Sequence, residues 1–194
     1  MTSYNTRSYL WVDDLPQEDI QQLFTQATQI KKHLTRGIHP RFLEGKQVAL
    51  VFSEASTRTK MSFQLAAQRL GAQCLVIDNV RSSSMSKGET FFDTFWTLHS
   101  IKPDLFVVRC GDSDPLDEVT KKSKIPVINA GFGAKSHPTQ ALLDAFTIQE
   151  RFGKFNGVKV LSVGDIDHSR VASSDIKLLK SFGADVKVCA PNSF

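Results

Sequence analysis

The chain has 194 residues, 41% of them hydrophobic, so it can bury a core and is not expected to be disordered. Its net charge of +4 is small and suits anionic metabolites better than nucleic acid, and the densest basic run, 121–124, is interpreted as a solvated surface. Three distant cysteines without a CxxC pair indicate neither a disulfide framework nor a zinc site. We find no signal-peptide pattern and no membrane-length apolar run, and predict a cytoplasmic protein.

The pattern of the first part of the chain predicts strands that alternate with helices. We expect a polar arm up to about Asp14, then a helix to about Leu34 that Asp13 or Asp14 could cap. The remaining predicted elements are, in chain order, strand 48–51, helix 57–70, strand 74–77, helix 89–100, strands 105–108 and 126–129, and helix 138–152. This pattern predicts an α/β fold with a parallel sheet flanked by helices.

A second unit follows Gly153. It contains a predicted strand at 158–163, a helix at 170–182 and a strand at 186–189, too small a core to be stable alone. We therefore predict two domains, 1–152 and the beginning of a second α/β domain at 153–194. Either this segment docks on the first domain or the chain is a fragment of a longer protein, and we favour the fragment.

The most distinctive stretch follows the first predicted strand and opens the helix after it. Ser56, Thr57 and Thr59 fall at or just inside that helix N-terminus, with Arg58 among them. Backbone N–H groups, the positive end of the helix dipole, hydroxyls and a guanidinium would converge there on one anion. An ordinary N-cap is the alternative that so short a motif leaves open.

Further candidates follow the other strands, because ligands collect beyond the carboxyl ends of parallel strands. Lys87 lies in a serine-rich loop that could contribute to a site, although such a composition is also typical of an ordinary surface loop. Arg109 would lie on the rim of the sheet, unless it forms a structural ion pair. His137 and Gln140 begin a helix one turn apart and can face one point, although the histidine could be incidental. Arg170 would lie near a cleft between the two units.

The glycine-rich segment 131–136 does not match the known nucleotide-binding loops. Gly131 and Gly133 permit close approach of the backbone to a ligand. The order Gly-x-Gly-x-x-Ser departs from the dinucleotide fingerprint, and Ala134 stands where a Walker loop needs glycine. A nucleotide-binding domain is therefore the weakest alternative.

Three motifs resemble those of the transcarbamoylases. The first, Ser56-Thr57-Arg58-Thr59, is similar to the carbamoyl-phosphate signature of that family. The second, His137-Pro138-Thr139-Gln140 followed by Ala-Leu-Leu-Asp, and the third, Lys87-Gly88-Glu89-Thr90, are similar to the aspartate transcarbamoylase forms. The resemblance covers nearly the whole chain in the right order. Ornithine transcarbamoylases, which more often have cysteine where Thr139 stands, remain an alternative.

The resemblance implies roles for the candidate residues. The phosphate of carbamoyl phosphate would be bound by Ser56, Thr57, Arg58 and Thr59. The carbamoyl oxygen would be polarised by Thr59, Arg109 and His137, and Gln140 would contact the carbamoyl nitrogen. A carboxylate of aspartate would be bound by Arg170, with Glu54 orienting the arginines. The neighbouring subunit's site would receive Ser83 and Lys87, which implies a homotrimer.

The implied activity is aspartate carbamoyltransferase in de novo pyrimidine biosynthesis, with carbamoyl phosphate and L-aspartate as substrates. The amine of aspartate would attack the carbamoyl carbon and expel phosphate through a tetrahedral oxyanion, without a metal or cofactor. Regulatory chains or a dihydroorotase are possible partners, and neither nucleic acid nor a membrane is implied.

Two features depart from the family pattern. Cys110-Gly111 follows Arg109, where the family usually has His-Pro. The family's second domain runs well beyond Phe194, so its Arg-x-Gln aspartate contacts and its Leu-Pro loop have no counterpart here. We therefore expect this chain alone to be largely inactive. A non-catalytic carbamoyl-phosphate-binding or assembly module is the corresponding alternative.

Overall fold

The computed structural model describes residues 8–78 and 89–191. A short 3-10 helix, Val12–Asp14, precedes the regular elements. The helices are α1 (Gln17–Thr35), α2 (Thr57–Arg69), α3 (Phe91–Ser100), α4 (Leu116–Lys122), α5 (Pro138–Phe152) and α6 (Arg170–Ser181). The strands are β1 (Gln47–Phe52), β2 (Gln73–Asp78), β3 (Leu105–Cys110), β4 (Val127–Phe132), β5 (Lys159–Val163) and β6 (Asp185–Cys189).

Four of the strands form one parallel sheet in the order β2-β1-β3-β4, and β5 and β6 form a second parallel sheet. The central strands β1 and β3 are almost continuously apolar because helices cover both of their faces. This architecture confirms the predicted α/β class, a helix-flanked parallel sheet with the start of a second α/β unit. The division of the chain at residues 152 and 153 stays a prediction.

The alternating side chains of β1 enter two different cores. Ala49 and Val51 pack on the side of Phe95 and Phe106, whereas the alternate residues Val48, Leu50 and Phe52 pack on the side of α2. Because all of these side chains are almost fully buried, the position and direction of β1 are tightly constrained. The end of this strand, and therefore the start of α2, is held at a defined place.

The prediction of a polar arm is wrong for the described residues of that segment. Tyr9 pairs with β4 through two backbone hydrogen bonds, of 2.8 Å to Val127 and 2.9 Å from Asn129. Tyr9, Leu10 and Val12 are buried. This segment lies along the outer edge of β4 and covers it.

The small second unit docks on the first. A third core joins α1, α5 and α6 through the buried side chains of Ile20, Phe24, Ala145, Leu178 and Leu179. The β5–β6 sheet contributes Val160 and Val186 to the same core, which explains how two strands and one helix are held in a defined position. Among the described residues, no helix is both long and apolar enough to cross a membrane.

Candidate active site

A cleft of about 790 Å³ opens where the carboxyl ends of the strands meet the N-termini of α2, α5 and α6. Eight predicted site residues line it: Ser56, Thr57, Arg58, Thr59, Arg109, His137, Gln140 and Arg170. Ser83 and Lys87 lie outside the described residues. The structure thus brings together side chains from three helix starts and one strand end, as expected for a parallel sheet.

The N-terminus of α2 provides one wall of the cleft. Ser56 occupies the N-cap position, yet its side chain makes no capping hydrogen bond within the described part of the chain. Thr57 and Arg58 are exposed on the first turn. The first-turn N–H groups of a helix have no intrahelical partners and carry the positive end of its dipole. This wall therefore has the composition of an anion-binding site rather than of an ordinary cap.

The loop that leads into α2 is tied to the end of β3. The N–H of Ser53 donates to the carbonyl of Arg109 at 2.9 Å, and its hydroxyl donates to Asp114 Oδ2 at 2.8 Å. The N–H of Gly111 donates to the same carboxylate at 2.7 Å, while Cys110 is fully buried. The Cys-Gly pair that departs from the family pattern is therefore part of a hydrogen-bonded junction that holds Arg109 at the rim.

Two arginines that line the cleft converge on one carboxylate, that of Glu54, which is not itself among the lining residues. Glu54 Oε2 lies 3.4 Å from Arg170 Nη1 and 3.8 Å from Arg109 Nε. Burial and the charge of Arg170 lower the pKa of Arg109, and Glu54 acts in the opposite direction. The carboxylate thus partly compensates the charges of two neighbouring guanidiniums. The orienting role of Glu54 stays a prediction.

Gly131 allows Arg109 to reach this position. Its φ of +125° is one that side chains with a Cβ rarely adopt, and a Cβ there would lie 2.7 Å from Arg109 Nη1 and 3.3 Å from Arg170 Nη1. Arg109 Nη1 also donates to the carbonyl of Ala130 at 3.3 Å. The guanidinium of Arg109 therefore lies directly against the backbone of Ala130 and Gly131.

His137 is the N-cap residue of α5 and is buried, with a relative exposure of 8%. Its backbone N–H donates to Ser174 Oγ at 2.9 Å, and that hydroxyl donates to the carbonyl of Arg170, also at 2.9 Å. Burial, followed by the charges of Arg109 and Arg170, lowers the pKa of the His137 imidazole to about 4. The ring is therefore neutral at physiological pH and can donate one hydrogen bond without carrying charge.

The cleft is cationic. Its described lining includes three arginines, Arg58, Arg109 and Arg170, and no carboxylate. Gln140 lines the same space, and its Nε2 atom contacts Asp144 behind it. This composition suits a ligand with more than one negative charge and one polar uncharged group.

Several lining residues were not predicted from the sequence. They are Ala55, Ser62, Phe63, Ala66, Thr139, Leu143 and Val171. Ser174 was also missed, although its position one turn after Arg170 on the same helix face is a signal that could have found it. No group of three or more His, Cys, Asp or Glu residues that could hold a metal occurs among residues 8–78 and 89–191.

A family model described as "Aspartate/ornithine carbamoyltransferase, carbamoyl-P binding domain" matches residues 7–150. The chain belongs to the aspartate/ornithine carbamoyltransferase family. Within this carbamoyltransferase family, the chain is 45% identical over 190 residues to the aspartate carbamoyltransferase catalytic subunit of Desulfitobacterium hafniense, covering 97% of this chain and 60% of the relative.

Solved carbamoyltransferase structures have the same fold. Aspartate transcarbamoylase from Trypanosoma cruzi, in complex with carbamoyl aspartate and phosphate, is 34% identical with a TM-score of 0.88, covering 97% of this chain and 61% of that one. Ornithine carbamoyltransferase from Pyrococcus furiosus is 35% identical with a TM-score of 0.88, covering 100% and 60%. The fold alone therefore does not separate the two activities. The chain spans about 60% of the length of the curated relative.

Proposed function

We propose that the protein containing this chain is an aspartate carbamoyltransferase, which transfers the carbamoyl group of carbamoyl phosphate to the amine of L-aspartate in pyrimidine biosynthesis. The observation that carries the proposal is the shared cleft, in which the first turn of α2 faces Arg109 and His137. The name of the D. hafniense relative favours aspartate over ornithine as the acceptor.

In this proposal the phosphate of carbamoyl phosphate binds at the start of α2. The hydroxyls of Ser56, Thr57 and Thr59, the first-turn N–H groups and the guanidinium of Arg58 supply donors and positive charge. The absence of a capping hydrogen bond from Ser56, within the described residues, leaves its hydroxyl available for this role. The site needs no metal, because these groups are themselves cationic or donors.

The carbamoyl oxygen lies, in the same proposal, among Thr59, Arg109 and His137. These donors would stabilise the oxyanion that develops when the amine of aspartate attacks the carbamoyl carbon, while Gln140 accepts a hydrogen bond from the carbamoyl NH2 group. Fixed donors of this kind are worth about 3 kcal/mol each in barrier lowering. Because its pKa is lowered to about 4, the neutral His137 imidazole is a weak base, and we assign it a donor role rather than that of an obligatory base. Arg170 would bind a carboxylate of aspartate.

We also propose a homotrimer in which Ser83 and Lys87 complete the neighbouring subunit's site. Large apolar side chains on α2 and on the edge strand β2 support an interface there: Met61, Leu65, Leu75 and Val76 are between 37% and 55% exposed. The three free cysteines support a reducing compartment such as the cytoplasm. Residues 1–152 would form the carbamoyl-phosphate domain, and 153–194 the start of the aspartate domain.

The activity can be tested with labelled carbamoyl phosphate and either aspartate or ornithine. We expect little turnover from this chain alone, and robust turnover from a chimaera in which the remaining part of the D. hafniense catalytic subunit follows it. The product should be N-carbamoyl-aspartate. Formation of citrulline would favour the ornithine activity instead. An inactive chimaera that still binds carbamoyl phosphate would favour a non-catalytic binding module.

A further inference from the structure

The end of β3 contacts the loops that follow both of its neighbouring strands, because the sheet order places β3 between β1 and β4. After β1, the N–H of Ser53 donates to the carbonyl of Arg109 at 2.9 Å. After β4, the N–H of Gly133 donates to the carbonyl of Cys110 at 2.8 Å. The first of these loops leads to α2 and the second leads to α5, so both helix starts are attached to the same short stretch of backbone.

On the side of β1, the buried carboxylate of Asp114 adds a second contact. Asp114 Oδ2 accepts hydrogen bonds from the Ser53 hydroxyl at 2.8 Å and from the N–H of Gly111 at 2.7 Å. Ser53 directly precedes Glu54, whose Oε2 atom lies 3.8 Å from Arg109 Nε. Asp114 therefore fixes the loop that leads into α2 relative to the end of β3.

On the side of β4, Asp112 makes the corresponding contact. The N–H of Ala134 lies 3.0 Å from Asp112 Oδ1 and 3.1 Å from Asp112 Oδ2. The carboxylate lies against the backbone of Gly133, where an added Cβ would be only 1.8 Å from Asp112 Oδ1. The same loop continues to His137, the N-cap residue of α5. Asp112 therefore fixes the loop that leads into α5.

The turn that follows β3 does not itself need these two long-range contacts. The bond between Gly111 and Asp114 closes the turn locally, over three residues. By contrast, the bonds of the two carboxylates to Ser53 and Ala134 join residues 61 and 22 positions apart in the chain. The local bond requires an N–H at residue 111, which a proline there could not supply, so the Cys-Gly pair noted above belongs to this arrangement.

We propose that Asp112 and Asp114 are positioning residues, which hold the first turn of α2 and the start of α5 at the separation that a ligand contacting both requires. The inference rests on the proposed function, because it assigns carbamoyl phosphate to the cleft. In that assignment the phosphate donors all belong to one turn of α2, whereas Arg109 and His137 belong to β3 and α5. Only a ligand that contacts all three elements depends on their relative position.

Carbamoyl phosphate and inorganic phosphate therefore form a suitable pair of probes. Calorimetric titration of the chain with each at pH 8 gives an affinity ratio, from which a general change in the charge of the chain cancels because both probes are phosphate dianions. We expect Asp112→Ala and Asp114→Ala each to lower the preference for carbamoyl phosphate at least about fivefold. The affinity for inorganic phosphate should stay within about twofold, since the donors of the α2 turn move together.

Conservative variants separate the hydrogen bonds from the charges. Asp112→Asn and Asp114→Asn should keep the preference within about twofold, because the amide oxygen still accepts hydrogen bonds although the charge is lost. Ser53→Ala removes only the hydroxyl that donates to Asp114, and it should lower the preference in the same direction as Asp114→Ala. Asp117→Ala is the matched control, because it removes an exposed carboxylate from α4 with the same change in charge, and it should keep the wild-type ratio.

The outcomes separate this inference from the proposed function. An unchanged ratio in both alanine variants, or a wild-type chain that binds both probes equally, would overturn the positioning role while leaving phosphate binding intact. Equal losses in Asp114→Asn and Asp114→Ala would overturn it as well, since the charge would then be responsible. If Asp114→Ala does not fold, unchanged ratios in Asp112→Ala and Ser53→Ala would overturn it. Failure of the wild-type chain to bind either probe would refute the proposed function itself.

Discussion

The guanidinium of Arg109 is seated directly on the backbone of Gly131, so close that a Cβ atom at residue 131 would lie 2.7 Å from Arg109 Nη1. An added Cβ would require the end of the Arg109 side chain to shift away from this position. A glycine outside the predicted phosphate-binding segment therefore determines where a predicted site residue can lie.

Gly131→Ala should displace Arg109 and lower the affinity for carbamoyl phosphate at least about tenfold, since a charged donor is worth about 1.5–3 kcal/mol. Gly153→Ala is the matched control, because Gly153 also has a positive φ, of +69°, but an added Cβ would meet no atom within 4 Å. Both variants should lose about 1 kcal/mol of stability through backbone strain. Calorimetry that finds equal ligand affinity in the two variants would contradict the assigned contact.

Ser174→Ala should destabilise the chain by about 1–3 kcal/mol, because it leaves the buried N–H of His137 without its acceptor. Ser173→Ala is the control: this neighbour on the same helix is exposed, and it reproduces the change in helix propensity. Urea unfolding of both variants checks the difference. Equal stabilities would show that the contact between Ser174 and His137 contributes nothing.

His137 should make the chain less stable in mild acid. Its pKa is about 4 in the folded chain against an ordinary 6.5, so unfolding takes up a proton between these pH values and stability falls as pH is lowered through that interval. After allowance for solvent screening, the loss between pH 7.5 and 5 is on the order of 1–2 kcal/mol. His137→Gln should lack this component. The measurement is the unfolding free energy at the two pH values, and an identical pH dependence in both proteins would refute the shift.

The titration of Asp175 should change the free energy of unfolding with pH in the opposite direction to that of His137. Because its pKa is raised from 3.8 to about 7, its contribution is present at low pH and is lost as pH rises through 7. Asp175→Asn should therefore gain about 1–2 kcal/mol of stability relative to wild type between pH 5 and 8, after a similar allowance for screening. The exposed Asp185→Asn serves as the control. A gain that does not grow with pH would contradict the proton on Asp175.

The site residues that lie at the start of a helix after an apolar strand could be predicted from the sequence. Ser56, Arg58 and His137 lie at helix starts after apolar strands, and the topology of a parallel sheet brings such positions to one edge. The main helices and strands were predicted for the same reason, since their apolar spacing is regular. The roles assigned to these residues remain predictions.

Features that depend on tertiary partners were not predictable in this way. The segment around Tyr9 has a polar composition, but its backbone forms hydrogen bonds with the edge of β4 and its few apolar side chains are buried. Helix α4 was missed because Leu116 and Val119 are the only apolar anchors in a short, charged window. Asp175 has the composition of a surface residue, but burial and the charge of Asp144 on α5 raise its pKa to about 7. In each case the decisive contact comes from a distant part of the chain.

Calorimetric titration of carbamoyl phosphate into wild type, Arg58→Ala and Arg41→Ala measures whether the first turn of α2 binds a phosphoryl group. Arg41 is a surface arginine that pairs with Glu44, three residues further along the chain, at 2.8 Å, and it serves as the control. We predict that Arg58→Ala lowers the affinity at least about tenfold, that Arg58→Lys does not restore it, and that Arg41→Ala binds as wild type does. An affinity for carbamoyl phosphate that is unchanged in Arg58→Ala would contradict phosphoryl binding at the start of α2.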